Sequence, residues 1–158
     1  MGIISHYPLD SLEPAPQVEV RANVPTEFGS VIGGATFIFH YVTADFGTTA
    51  ERRPRVTTTA GDQNVQLASR HADQGDGTTV LTVLVGNPHG FNPDNSGTGL
   101  AQGRSLLRSL RFDIMWRVTD KIINDVNWQN SIQLVSAQFV DLDGNSLPGV
   151  TPMMAKVR

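Results

Sequence analysis

Asp141, Asp143 and Asn145, at alternate positions, come nearest in this chain to a ligand set. Oxygen ligands spaced in this way open the calcium loop of an EF-hand, but that loop also needs glycine at its sixth position and a bidentate acid at its twelfth. Ser146 and Pro152 stand there instead, so the stretch reads as an Asp-Gly-Asn turn ending a strand. Asp73 and Asp76, within His-Ala-Asp-Gln-Gly-Asp-Gly, have the same turn chemistry and read the same way. The histidines, His6, His40, His71 and His89, show no ligand spacing, and there is no cysteine to supply a thiolate, a disulfide or a nucleophile. Neither a metal nor a cofactor is expected.

Other catalytic constellations are equally thin. No serine sits in a Gly-x-Ser-x-Gly elbow, and no Gly-x-x-x-x-Gly-Lys phosphate loop occurs. The run from Gly97 to Gly103 is rich in glycine but carries no lysine and follows no strand of the required kind. Glutamate is scarce (Glu13, Glu19, Glu27, Glu51), which weighs against the paired carboxylates of glycoside chemistry. The expectation is a protein that is not an enzyme. Arg52, Arg53 and Arg55, around Pro54, form the one basic cluster. A formal net charge of −3 and the lack of interleaved aromatics argue against nucleic acid as its partner. A turn-flanking cluster, or a salt-bridged contact with another subunit, fits better.

The elements that would carry these residues are strands. A length of 158 residues suits one domain with a real core. Ten arginines against two lysines, Lys121 and Lys156, favour packing against protein over a freely solvated surface. No apolar run is long enough to span a bilayer, and the start, Met-Gly-Ile-Ile followed by Ser5 and His6, lacks the pattern of a secretory signal. Leu110, Phe112, Ile114, Trp116 and Val118 alternate with mainly polar residues at the period of a half-buried strand. Ile132 to Val140 is apolar on both parities and predicts a strand covered on both faces. Further strands are expected at Val18 to Val20, Ala35 to Thr43, Arg55 to Thr59 (an edge), Asn64 to Ser69, Thr78 to Val85 and Val150 to Val157. Gly33-Gly34 predicts a bulge, His71 to Gly77 a turn, Asp45 to Pro54 a polar connection, and Thr119 to Val126 two turns of helix.

The resulting expectation is an all-β domain, a β-sandwich or jelly roll over residues 18–158, preceded by an extended arm over 1–17 with Pro8, Pro14 and Pro16. Residues 86–103 form a long polar loop in which Phe91 and Leu100 are isolated apolar points. A mid-sized, cysteine-free, lysine-poor chain rich in Thr, Gly and Asn, with such an arm and loop, resembles the minor structural proteins of phage virions, such as capsid cement proteins or tail components. The resemblance implies a virion location and partners that are other copies of the chain and a major capsid or tail protein, with neither nucleic acid nor membrane involved. Arm, loop and basic cluster would then supply the interface through Tyr7, Pro8, Leu9, Leu12, Arg52, Arg53, Arg55, Phe91, Asn92 and Leu100. The alternative is a carbohydrate-binding β-sandwich, with Trp128, Trp116, Tyr41 or Tyr7 stacked on sugar rings.

Overall fold

Val18, Val20, Ala22 and Val24 are all buried, while Glu19, Arg21 and Asn23 between them face outward. That alternation makes β1 (Gln17–Pro25) one half of the pattern on which the whole molecule is built. The computed structural model describes residues 17–25, 31–46, 53–58, 64–91, 104–115 and 132–156. The other elements among them are β2 (Ile32–Val42), a one-turn helix α1 (Thr43–Phe46), β3 (Arg55–Thr57), β4 (Gln66–Asp73), β5 (Thr78–Gly86), β6 (Arg104–Met115), β7 (Ile132–Asp141) and β8 (Thr151–Lys156).

Two antiparallel sheets result, with strand orders β3-β6-β1-β8 (sheet A) and β4-β5-β2-β7 (sheet B), and the fold is an all-β sandwich. The pairs β4–β5, β3–β6, β2–β7 and β1–β8 nest one inside the next along the chain. The joins β1–β6 and β2–β5 then set the order within each sheet. Inward residues of the two sheets meet in one core. Phe37 lies edge-on to Phe112 of the opposite sheet at 4.9 Å between centroids, and to Phe139 at 5.4 Å.

Two irregularities explain where the sequence pattern departs from simple alternation. In β7, Ile38 pairs with Ser136 but Phe39 pairs with Leu134, so Val135 is an extra residue bulged out of the ladder. The bulge moves the inward side from one parity to the other: Ile132 and Leu134 face the core before it, Ala137 and Phe139 after it. The two-sided apolar run therefore does not mean a strand covered on both faces, because Gln133, Val135, Ser136 and Gln138 are exposed. In β2 the pairing slips between Ile32 and Gly34, leaving Gly33 as the bulge that the glycine pair predicts. A Cβ on Gly33 would stand 2.8 Å from the Asp141 carbonyl oxygen, so only glycine fits without backbone movement.

Other boundaries also shift. β1 continues past Asn23 because Val24 keeps the inward parity, and Pro25 at its last position costs the ladder one donor at most. His71 to Asp73 belong to β4, so the β4–β5 turn is confined to residues 74–77, where Gly75 (φ 78°) and Gly77 (φ 91°) take left-handed backbone. The expected polar connection after Asp45 begins as α1, since Phe46 inserts into the core edge-on to Tyr41 at 5.0 Å. The edge strand expected at Arg55 is present as β3, paired only with β6 among the described residues. Trp116, Trp128, the helix expected at Thr119 to Val126 and the arm up to Pro16 lie outside the described residues.

Candidate functional site

Three groups of side chains depart from the pattern of a plain sandwich: a polar corner inside it, a charged patch on sheet A and an open face on sheet B. The corner forms where β2, β5 and β4 end beside α1. Tyr41 and Thr79 are inward cross-strand neighbours, and both are buried. Thr43 Oγ1 lies 2.6 Å from Thr79 Oγ1, and Tyr41 Oη lies 2.9 Å from Nδ1 of His71. Which of the two donates depends on the imidazole tautomer, and the Pro54 backbone beside the ring favours its charged form. Burial pushes the His71 pKa below the usual histidine value, and the nearby Arg53 guanidinium pushes it the same way, against the Pro54 hydrogen bond. Burial raises the Tyr41 phenol. This network ties the start of sheet A's edge to sheet B, and its hydroxyls face the core, not a cleft.

The charged patch lies on the outer side of sheet A. Glu19 and Asp113 are directly opposed across β1 and β6, as are Arg21 and Arg111. Arg21 Nε approaches Glu19 at 3.0 Å, Arg111 Nε approaches it at 3.7 Å, and Arg111 Nη2 donates to Asp113 Oδ1 at 3.4 Å. Burial raises the Asp113 pKa, with Arg111 opposing. Opposed carboxylates are the one feature here that invites acid–base chemistry. The Asp113 side chain is only 3% exposed, however, and each acid is neutralised by an arginine, so a substrate has no approach to the pair.

The outer face of sheet B is different in kind. Its outward positions are Ala68, Arg70 and Ala72 on β4, Val80, Thr82 and Leu84 on β5, Thr36, Ile38, His40 and Val42 on β2, and uncharged residues of β7. Leu84 is 50% exposed, Val135 55% and Val42 47%. Among the described residues, Arg70 and His40 are the basic side chains at these outward positions and none of the positions is acidic, while the Asp76 carboxylate of the β4–β5 turn lies near enough to His40 to feel its charge. Between Arg70 and Leu84 the short side chains of Ala68 and Ala72 leave a hollow of about 350 Å³.

Of the interface residues read from sequence, Arg53, Arg55 and Phe91 fall among the described residues, and the structure does not bring them together. Arg53 is half-buried beside the polar corner, with Nε buried and making no hydrogen bond. Arg55 is exposed on β3, at the edge of the other sheet. Phe91 is 1% exposed and its N–H donates to the Ile32 carbonyl, so its ring belongs to the core and cannot serve a partner. Tyr7, Pro8, Leu9, Leu12, Arg52, Asn92 and Leu100 lie outside the described residues. Tyr41 is withdrawn as a sugar-stacking candidate, because its ring is 3% exposed.

The acidic turns use their own carboxylates. Asp141 Oδ1 accepts the N–H groups of Asp143 and Asn145, both at 2.9 Å, and Gly144 (φ 87°) completes the turn. Asp73 Oδ1 accepts the Gly75 N–H, and Asp76 Oδ1 accepts both the N–H and the hydroxyl of Thr78. No cluster of three or more potential ligands stands ready for a metal among the described residues. Among them, too, no helix is long and apolar enough to cross a membrane. Comparison with protein-family models, curated proteins and solved structures finds no match.

Proposed function

We propose that this chain is a non-enzymatic structural subunit that works through contacts with copies of itself and with a larger shell or tail protein, as decoration and tail proteins of phage particles do. The observation that carries the reading is the outer face of sheet B. Among the described residues its outward strand positions carry no acid and few charges, and Leu84, Val135 and Val42 are about half exposed. Interface cores are depleted in charge, and a sheet face that holds several large apolar side chains half in water is a natural seat for another molecule. The free edge of β4 adds to this: it pairs only with β5 among the described residues and carries neither lysine nor proline to discourage a further strand.

Sedimentation velocity of the full chain over a range of concentrations tests the proposal. Concentration-dependent assembly, or co-sedimentation with assembled particles, is the expected result. A chain that remains monomeric up to about 1 mM, where association is worth only about 4 kcal/mol, and that adds to no particle, would refute it.

A further inference from the structure

Among the described residues each sheet ends in two edge strands, β3 and β8 in sheet A and β4 and β7 in sheet B. Three of them carry a feature that hinders the addition of a further strand. β3 is three residues long and directly follows Pro54. β8 includes Pro152 and Lys156. β7 is bulged at Val135, and its end is already bridged to Ser146. β4 is different: it runs regularly over eight residues, without a bulge against β5 and with neither proline nor lysine. Gln66, Ala68, Ser69 and Arg70 on it are exposed, and among the described residues it pairs with β5 alone.

The outward side chains of β4 alternate in size. Gln66 and Arg70 are long, Ala68 and Ala72 are short, and the hollow beside the alanines is closed on the β5 side by Thr82 and Leu84. In an antiparallel pair, directly opposed residues point to the same side of the sheet. A two-fold axis through Ser69 therefore sets Arg70 opposite Ala68 of a second copy, and Gln66 opposite Ala72 of that copy. Long meets short throughout, residues 66–72 of each copy pair, and about six to eight interstrand hydrogen bonds form. The aliphatic stem of Arg70 then lies over the other copy's Ala68 toward its Leu84, filling the hollow, while the guanidinium stays in water. The two arginines cross the seam in opposite directions. An axis through Arg70 would instead set like charges directly opposite each other, and one through Ala68 would set Arg70 against Gln66 and alanine against alanine.

We propose that β4 of one copy pairs antiparallel with β4 of another about Ser69, joining two four-stranded B sheets into one continuous sheet, with Arg70 of each copy seated in the other's hollow. This rests on the subunit-contact reading above and names the seat of self-contact. The pairing is edge to edge, so the outer faces of the two B sheets remain uncovered, side by side.

Cysteine placement in the full chain, which has none of its own, tests the seat. Ser69→Cys lies on the axis and should give a disulfide-linked dimer under mild oxidation, since opposed strand positions fall within disulfide reach. Arg55→Cys, on the edge of the other sheet, should not. Ala68→Lys sets a lysine opposite Arg70 at both symmetry-related positions and should weaken self-association in sedimentation velocity about tenfold, and adding Arg70→Glu should restore it. Positions 68–70 are exposed, and an unchanged far-ultraviolet dichroism spectrum should show that the variants fold. Hydrogen exchange of the amides of residues 66–72 should slow as the concentration of the unaltered chain rises. Self-association that Ala68→Lys leaves intact, with no cross-link through Ser69→Cys, would overturn the seat while leaving the subunit reading in place. A faster cross-link through Ala68→Cys than through Ser69→Cys would overturn the register, and with it the filling of the hollow. A chain that stays monomeric yet adds to assembled particles would overturn self-pairing alone, whereas one that does neither would end both readings.

Discussion

Lowering the pH from 7.5 to 5 should cost this fold stability through His71. The half-buried ring lies with Nδ1 2.9 Å from the Tyr41 hydroxyl oxygen, and the Pro54 backbone and the Arg53 guanidinium are close by. Protonation places a charge on a ring that burial keeps from water, and it brings a second positive charge beside Arg53. Because burial and Arg53 depress the folded-state pKa below the unfolded value near 6.5, the unfolded chain takes up the proton first. The contribution is therefore present above pH 6.5 and is lost as pH falls through the folded-state pKa. Each unit of separation is worth at most about 1.4 kcal/mol. The ring is only about half-buried, so screening reduces the expected loss to about 1 kcal/mol or less, or roughly 2–4 °C in melting temperature for a chain of this size. Urea unfolding at a series of pH values, in the unaltered chain and in His71→Gln, would measure it. The slope between pH 6.5 and 5 should flatten in the variant. A slope that is absent in the unaltered chain, or that survives the substitution, would refute the assignment of this pH dependence to His71.

Other substitutions test the packing. Phe37→Ala removes a fully buried ring that meets Phe112 and Phe139 edge-on, and should cost about 3–5 kcal/mol in urea unfolding, with Phe37→Leu costing much less. Val135→Asp at the β7 bulge should change stability by less than about 0.5 kcal/mol, whereas Phe139→Ala in the same strand should lose about 3–5 kcal/mol; equal costs would restore the two-sided strand. Gly33→Ala should lower stability by about 1–3 kcal/mol, since its Cβ would press on the Asp141 and Leu142 backbone, and an unchanged melting temperature would show that the bulge yields freely.

The strands were legible where one parity carries the apolar residues throughout, as in Leu110, Phe112 and Ile114 or in β5. Misreading came where the ladder gains a residue. A bulge such as Val135 superimposes two parities, and along the sequence this looks the same as burial on both faces. Pairing of β1 with β6 joins segments far apart in the chain, and no local pattern encodes such a partner. The polar corner was missed for a different reason. His71 shares the parity of Val65 and Leu67, which marks it as inward, but its neighbours Asp73, Gln74 and Gly75 pulled the reading toward a turn. The hollow beside Arg70 left no signature, because alanines that line a depression are the same in sequence as alanines that merely fill a strand.

The two outer faces differ in what association would cost at each. On sheet A, Glu19, Arg21, Arg111 and Asp113 balance two charges of each sign, so the patch offers a partner little net field. Covering it would still strip remaining water from ions, at several kcal/mol for any ion left imperfectly paired. On sheet B the side chains to be covered are Leu84, Val135 and Val42, each half in water already. Completing the burial of such a side chain contributes roughly 1 kcal/mol, half of the 1.5–3 kcal/mol of full burial, with no ion to desolvate except Arg70. A partner that supplies a carboxylate for Arg70 removes that last obstacle, whereas a second copy of the face would bring another Arg70 and, among the described residues, no acid at its outward strand positions.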